Sequence, residues 1–311
     1  MTAFAIKTHS LVKTFSSVRS ITRAVDGLSL SVPEGSIYGL LGRNSAGKTT
    51  TIRMLMGLAR PTSGSAEVLG LNPTREPERV AMLRQVGYVP EDKTLLSMTA
   101  RKLLELNRAF YPQTWSDALA RRAIERLELP LDTPFLKLSM GNKTKSALVA
   151  AIAQRSRLLI LDEPTTGLDP VALDALLRLL VEDCTAEGRT IFLSSHQLSE
   201  IAQISDHIGI MDRGRLLIED PLDDILANFR RVTATGSTLP VSHPAILTAH
   251  RERHATEFVV QREPEAFAAE LTRNGATVVD STPLSLNEIF LELCRKDTGK
   301  EDAESYREVL R

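Results

Sequence analysis

Short, uninterrupted apolar runs punctuate the first two thirds of the chain: Ile37–Leu41, Leu158–Leu161, Ile191–Leu193 and Ile208–Met211. Runs of this length bounded by turn residues predict strands buried on both faces. Between them, apolar positions recur at helical spacing over Thr49–Leu58, Val171–Glu182 and Gln197–Gln203. Strands alternating with helices predict an α/β core around a largely parallel sheet. Ala5–Val32 alternates apolar and polar residues instead and predicts an antiparallel β flank. Met98–Leu129 carries helix formers at helical spacing, which predicts an inserted helical region.

The texture changes after Asn228. Val232–Pro244 is rich in Thr, Ser and Pro and predicts a linker or irregular loop. Beyond it, Glu257–Gln261 and Ala276–Asp280 predict strands, with a helix over Pro264–Arg273 between them. A last helix opens on a capping box, Ser285 and Glu288, and sets Leu286, Ile289, Phe290 and Leu293 on one face. The chain therefore divides into an α/β domain over residues 5–229 and a small α+β module over 230–311. Its charged end, Lys296–Arg311, is expected to be frayed or loosely helical.

Composition narrows the classes. An apolar share of 42%, a charged share of 25% and a net charge of −1 are those of an ordinary globular protein. They give no reason to expect a nucleic-acid partner. The two cysteines, Cys184 and Cys294, lie far apart, outside metal-type spacing, and are expected as reduced thiols. Met1–Ser10 lacks the apolar stretch of a secretory signal. No run approaches the roughly 18 apolar residues of a membrane span, so a membrane role has to come through a partner.

Two segments carry candidate chemistry. The strand Ile37–Leu41 feeds Gly42-Arg43-Asn44-Ser45-Ala46-Gly47-Lys48-Thr49, with Thr50 opening the helix behind. Small residues at this spacing let backbone N–H groups wrap phosphate oxygens at a helix N-terminus. Lys48 is placed to reach the β- and γ-phosphates and the Thr49 hydroxyl to hold Mg²⁺. Second, Leu158–Leu161 delivers Asp162 and Glu163 to the end of a buried strand, where open α/β sheets bind ligands. Asp162 suits Mg²⁺, and Glu163 suits activation of a water.

With these two segments in place, further motifs follow in order, and the chain resembles the ATP-binding subunits of ABC transporters over Ala5–Asn228. Phe15 falls where that family stacks an aromatic ring on adenine. Tyr88-Val89-Pro90-Glu91 falls at the loop that usually ends in Gln. Leu138-Ser139-Met140-Gly141-Asn142 falls at the signature LSGGQ. Thr166-Gly167-Leu168-Asp169 matches the D-loop, and Ser194-Ser195-His196 ends in the switch histidine. The resemblance implies a P-loop NTPase core with a helical signature subdomain, and ATP with Mg²⁺ as ligands. It implies Glu163 and His196 as catalytic groups, and Thr49, Asp162 and Glu91 around the metal. It also implies a head-to-tail pair of such subunits, homodimeric in the simplest case. Ser139 and the Gly141 backbone of one subunit would then meet the ATP held by the other.

The chain departs from the family pattern at Ser45, Glu91, Met140 and Asn142. Glu91 adds negative charge near the phosphates, and Met140 puts bulk where glycine permits close approach. The leading expectation is the ATPase of an ABC-2 type exporter, peripheral on the cytoplasmic face of the membrane and bound to a separate permease. The alternative is a non-transport ABC ATPase acting on a macromolecular complex. Those relatives tend to carry two cassettes or long coiled-coil insertions, and this chain has neither. A GTPase is disfavoured because Asn142-Lys143-Thr144-Lys145 lacks the aspartate that reads guanine.

Overall fold

The computed structural model describes residues 3–16, 20–92, 98–236, 239–240, 242–251 and 255–298, with the side chains of 183–186 and 297–298 outside this set. The chain forms two compact units, Met1–Glu219 and Asp220–Arg311.

The first unit opens with strands β1 (Phe4–Ser16), β2 (Ile21–Leu28) and β3 (Ser31–Pro33). They pair antiparallel about β1, as their alternation predicts, and β5 (Ser63–Val68) joins the other side of β1. The polar sequence of β5 gave no strand signal. Between them lie β4 (Ile37–Leu41) and helix α1 (Lys48–Leu55), which ends three residues short of the expected Leu58. Then come α2 (Glu76–Leu83), β6 (Val86–Val89), α3 (Ala100–Phe110), α4 (Asp117–Arg126), a 3₁₀ turn over Phe135–Lys137, and α5 (Met140–Ala153). The helices α3 and α4 fill the inserted helical region expected over Met98–Leu129, and α5 follows it. The remainder of the unit is β7 (Leu158–Asp162), α6 (Pro170–Glu187), β8 (Thr190–Ser195), α7 (Leu198–Ala202), β9 (His207–Asp212) and β10 (Arg215–Pro221).

The central sheet runs β10-β9-β4-β8-β7-β6, and the strands from β9 to β6 are mutually parallel. Every residue of β4, β7 and β8 is buried, which accounts for their unbroken apolar runs. Tyr38 of β4 stacks on Phe192 of β8 at 5.4 Å between ring centroids. Its hydroxyl donates to Glu219 Oε1 at 2.8 Å, and the Ser31 amide donates to the same oxygen at 2.8 Å. Burial, then the neighbouring Glu219 charge, holds the Tyr38 hydroxyl well above its ordinary pKa, so it stays a donor. Glu219 thus ties the antiparallel flank to the central sheet.

In the second unit, α8 (Leu222–Asn228) leads into β11 (Phe229–Thr235), β12 (Ile246–Arg251), β13 (Thr256–Gln261), α9 (Pro264–Arg273), β14 (Thr277–Pro283) and α10 (Leu286–Thr298). Its antiparallel sheet runs β12-β13-β11-β14 around a core of Val232, Phe258, Val260, Phe267 and Leu271. Here the irregular segment expected from Val232 is corrected: Val232–Thr235 completes β11. Val232 and Ala234 point inward while Thr233 and Thr235 are partly exposed, a period-two pattern that the Thr-rich composition hides. The capping box of α10 forms, with the Ser285 amide donating to Glu288 Oε2 at 2.9 Å and the Glu288 amide to Ser285 Oγ at 3.4 Å. Of the charged end, Lys296–Thr298 continues α10, and 299–311 lie outside the described residues. Among the described residues no helix is long and apolar enough to cross a membrane.

Replacing Tyr38 with Phe removes one of the two donors to Glu219 Oε1 and leaves the stacked ring. The expected loss is about 1.5–3 kcal/mol, the usual worth of a hydrogen bond to a charged group. Urea unfolding measures it, and an unchanged midpoint would remove the tie.

Candidate functional site

The glycine-rich loop forms because β4 ends buried and the chain must turn at once into α1. Gly47 takes φ +108°, and a Cβ there would stand 2.3 Å from the Ala24 carbonyl oxygen, so only glycine fits. Ser45, where the family has glycine, sits at φ +68°. A non-glycine residue there costs of order 1–3 kcal/mol in backbone strain. The Gly42 amide donates to the Ser195 carbonyl at 3.2 Å, and the Ala46 amide donates to the Arg43 carbonyl at 3.1 Å. A cavity of about 600 Å³ opens over the loop, lined by Thr22–Ala24, Asn44–Thr50, Glu91, Glu163 and Arg213.

At its base the buried Lys48 Nζ donates to the carbonyls of Gly42 at 2.7 Å and Arg43 at 3.1 Å. It also stands 3.2 Å from Glu163 Oε1, while Glu163 Oε2 lies 2.8 Å from His196 Nδ1. Glu163 is held at φ +49°, a left-handed conformation that residues other than glycine rarely adopt. Its amide donates to Ser194 Oγ at 3.2 Å, and Ser194 Oγ in turn donates to Asp162 Oδ1 at 2.6 Å. Parallel pairing of Asp162 with Ser194 at the strand ends makes this possible.

Thr49 Oγ1 lies 2.9 Å from Glu91 Oε2 and 3.2 Å from Asp162 Oδ1. Asp162 is fully buried, and among the described residues its Oδ2 has no hydrogen-bond partner. Burial pushes its pKa up. The Ser194 and Thr49 hydroxyls oppose this, and the Glu91 and Glu163 charges add to it. Burial and the Asp162 charge also push the Tyr88 hydroxyl up to about 12. A hydroxyl and two carboxylates, one with a buried unpartnered oxygen, form a hard-oxygen cluster of the kind Mg²⁺ requires.

The other expected site residues lie apart from this cluster. Phe15 is half exposed with Lys13 Nζ 5.0 Å from its ring centre, and its cross-strand partner Thr22 reaches the cavity wall. Ser139 caps α5, its Oγ accepting from the Asn142 amide at 3.2 Å. Gly141 packs on the segment after β7: a Cβ there would stand 2.3 Å from the Gly167 carbonyl oxygen. Asp169 caps α6 by accepting from the Val171 and Ala172 amides, and these bonds, Ala172 first, lower its pKa. Thus Asn44–Thr50, Glu91 and Glu163 meet at one cavity, with Asp162 and His196 directly behind it. Ser139 and Gly141 are not among the residues that line it. Motif spacing missed Thr22, Arg23, Ala24 and Arg213, which nothing in their local sequence marks; Ser194 lies in the segment that ends in His196, but spacing gives it no role.

A parallel sheet delivering a phosphate-type loop and two acids to one edge defines a P-loop nucleoside triphosphatase. The profile of the ABC transporter family matches residues 25–166. The bacitracin transport ATP-binding protein of Bacillus licheniformis is 41% identical over 229 residues, 73% of this chain and 72% of that one. The daunorubicin/doxorubicin resistance ATP-binding protein of Streptomyces peucetius is 33% identical over 316 residues, 93% and 92% of the two chains. Among solved structures, an ATP-binding subunit of an ABC transporter aligns with TM-score 0.63 and 30% identity over 72% of this chain and 92% of that one. A dimeric cassette bound to ADP and Pi aligns with TM-score 0.63 at 22% identity, over 70% of this chain and 98% of that one, and so shares the fold. The chain belongs to the ABC transporter ATP-binding family: it binds and hydrolyses ATP as a subunit of a transport system.

Gly141→Ala sets a methyl group against backbone that cannot swing aside. It should destabilise the first unit by about 1–3 kcal/mol, as overpacking does. Thermal melting reads this out, and an unshifted midpoint would contradict the close approach of α5 to Gly167.

Proposed function

We propose that this chain powers export through a separate membrane permease, docked peripherally on the cytoplasmic face, with its ATP site completed by a second copy. The observation that carries the reading is the convergence of Lys48, Glu163 and His196 under the loop, beside the Thr49–Asp162–Glu91 oxygen cluster. The names of its relatives, which cover bacitracin transport, drug resistance and Nod factor export, support an exporter. In this division of labour the first unit carries the ATPase, ending ten residues before the 5–229 expected from the sequence, and the second unit is an accessory module.

The geometry and the family resemblance support the following roles. Backbone amides of Asn44–Thr50 and the Lys48 ammonium bind the triphosphate. Phe15, beside Thr22, marks the adenine end. Thr49, Asp162 and Glu91 would hold Mg²⁺, which supplies charge neutralisation on the β- and γ-phosphates when bound. The Glu163 carboxylate accepts a proton from the attacking water as the water oxygen bonds to the γ-phosphorus and the bridge to the β-phosphate breaks. His196, held with Nδ1 2.8 Å from Glu163 Oε2, helps position the attacking water beside the terminal phosphate. Ser139 and the Gly141 amide, which do not line their own chain's cavity, contact the phosphate held by the partner copy.

Glu163→Gln keeps the shape but not the basicity of this side chain. It should retain ATP and lower turnover by about 10²-fold or more; unchanged turnover removes Glu163 as the base. Lys48→Ala should weaken ATP binding itself, measured by calorimetry, and equal affinity would contradict the phosphate contact. For the partner, the chain should pellet with membranes only when a permease is co-expressed. Binding to membranes without any permease, or co-purification with nucleic acid instead, would count against transport.

A further inference from the structure

Two guanidinium groups line the ATP cavity that no sequence motif assigns, Arg23 and Arg213. Arg213 stands on the two-residue turn between β9 and β10, and its backbone takes φ +46°, which for a residue other than glycine carries strain. The turn is pinned to the phosphate loop. The Gly214 amide donates to the Ala46 carbonyl at 2.9 Å, and the Gly214 carbonyl accepts from the Asp26 amide at 2.8 Å. A Cβ on Gly214 would stand 3.0 Å from the Ala24 carbonyl oxygen, so the turn also lies flush on β2. Below it, the buried Asp212 joins the two parts: its Oδ1 accepts from Arg43 Nε of the loop at 3.2 Å, and its Oδ2 lies 3.9 Å from Arg213 Nε.

The cavity has a direction. Thr22, paired across the strands with Phe15, marks the base end, while Lys48 with Glu163 and Thr49 with Asp162 mark the terminal-phosphate end. Ala24, Ala46 and Gly47 lie between these ends, and the Arg213 turn is fastened to that middle stretch. An arginine fork there meets the part of the ligand where ribose gives way to phosphate. Arg23 stands on β2 at the surface, its guanidinium 2.8 Å from Asp26.

We propose that Arg213 is a nucleotide-contacting residue whose guanidinium binds the phosphate nearest the ribose from the β9–β10 turn. The proposal rests on the reading that this cavity takes ATP. It predicts a contact common to ATP and ADP, since both carry that phosphate, and it separates Arg213 from Lys48, whose reach is to the far end.

Calorimetric titration of the full chain with ATP and with ADP tests this. Arg213→Ala should weaken both nucleotides by about tenfold, the scale of one charge-assisted hydrogen bond. Arg213→Met, which keeps the aliphatic stem packed on the turn, should show the same loss with an unshifted melting temperature. Arg23→Ala removes the same charge from the same wall and should cost less than about threefold. Lys48→Ala should weaken ATP more than ADP. Wild-type affinity in both Arg213 variants, a loss confined to ATP, or an equal loss in Arg23→Ala would overturn the contact. Failure of the unaltered protein to bind either nucleotide would instead sink the ATP reading.

Discussion

The parallel register that sets Leu41 beside Ser195 and Asp162 beside Ser194 is the constraint from which the site is built. Because β4, β7 and β8 are buried along their whole length, they can present polar groups only where they end. The ends coincide, so the loop, the acidic pair and the Ser–Ser–His segment emerge at one edge. Ser194 then serves two groups at once, donating to Asp162 and accepting from the Glu163 amide. A slip of one residue would turn every side chain of a strand to the opposite face and scatter these groups.

Charge is the second organising fact. Glu91, Asp162 and Glu163 converge near the single ammonium of Lys48, whose three protons already face two carbonyls and Glu163. Burial is the main cause that raises the Asp162 pKa, and the Glu91 and Glu163 charges add to it. The arrangement is unfavourable alone and favourable beside a divalent cation, the usual condition of a site that stores electrostatic strain for its ligand. Glu91, standing where the family usually has glutamine, sharpens that imbalance.

The second unit builds its own core. The match to the Streptomyces relative extends over 93% of this chain, so that unit belongs to the shared architecture. Its sheet is antiparallel where the central sheet is parallel, and its helix α10 is started by a capping box legible from spacing alone.

By itself the sequence determined what depends on neighbours along the chain. Gly42–Thr49, the apolar run into Asp162 and Glu163, and the Ser285–Glu288 cap were legible because a turn, a strand and a cap each lie within a few residues. The same locality misled at Val232–Thr235, where Thr-rich composition resembled a loop until pairing with β13 and β14 made it a strand. Tertiary structure alone decided the rest: that Ser194 bonds Asp162, that Glu163 bridges Lys48 and His196, and that Thr22 and Arg213 wall the cavity. Those groups come from segments far apart in the chain. They meet because strand register and the close approach of backbone at Gly47 and Gly214 set their distance, and neither is written in any single stretch of residues.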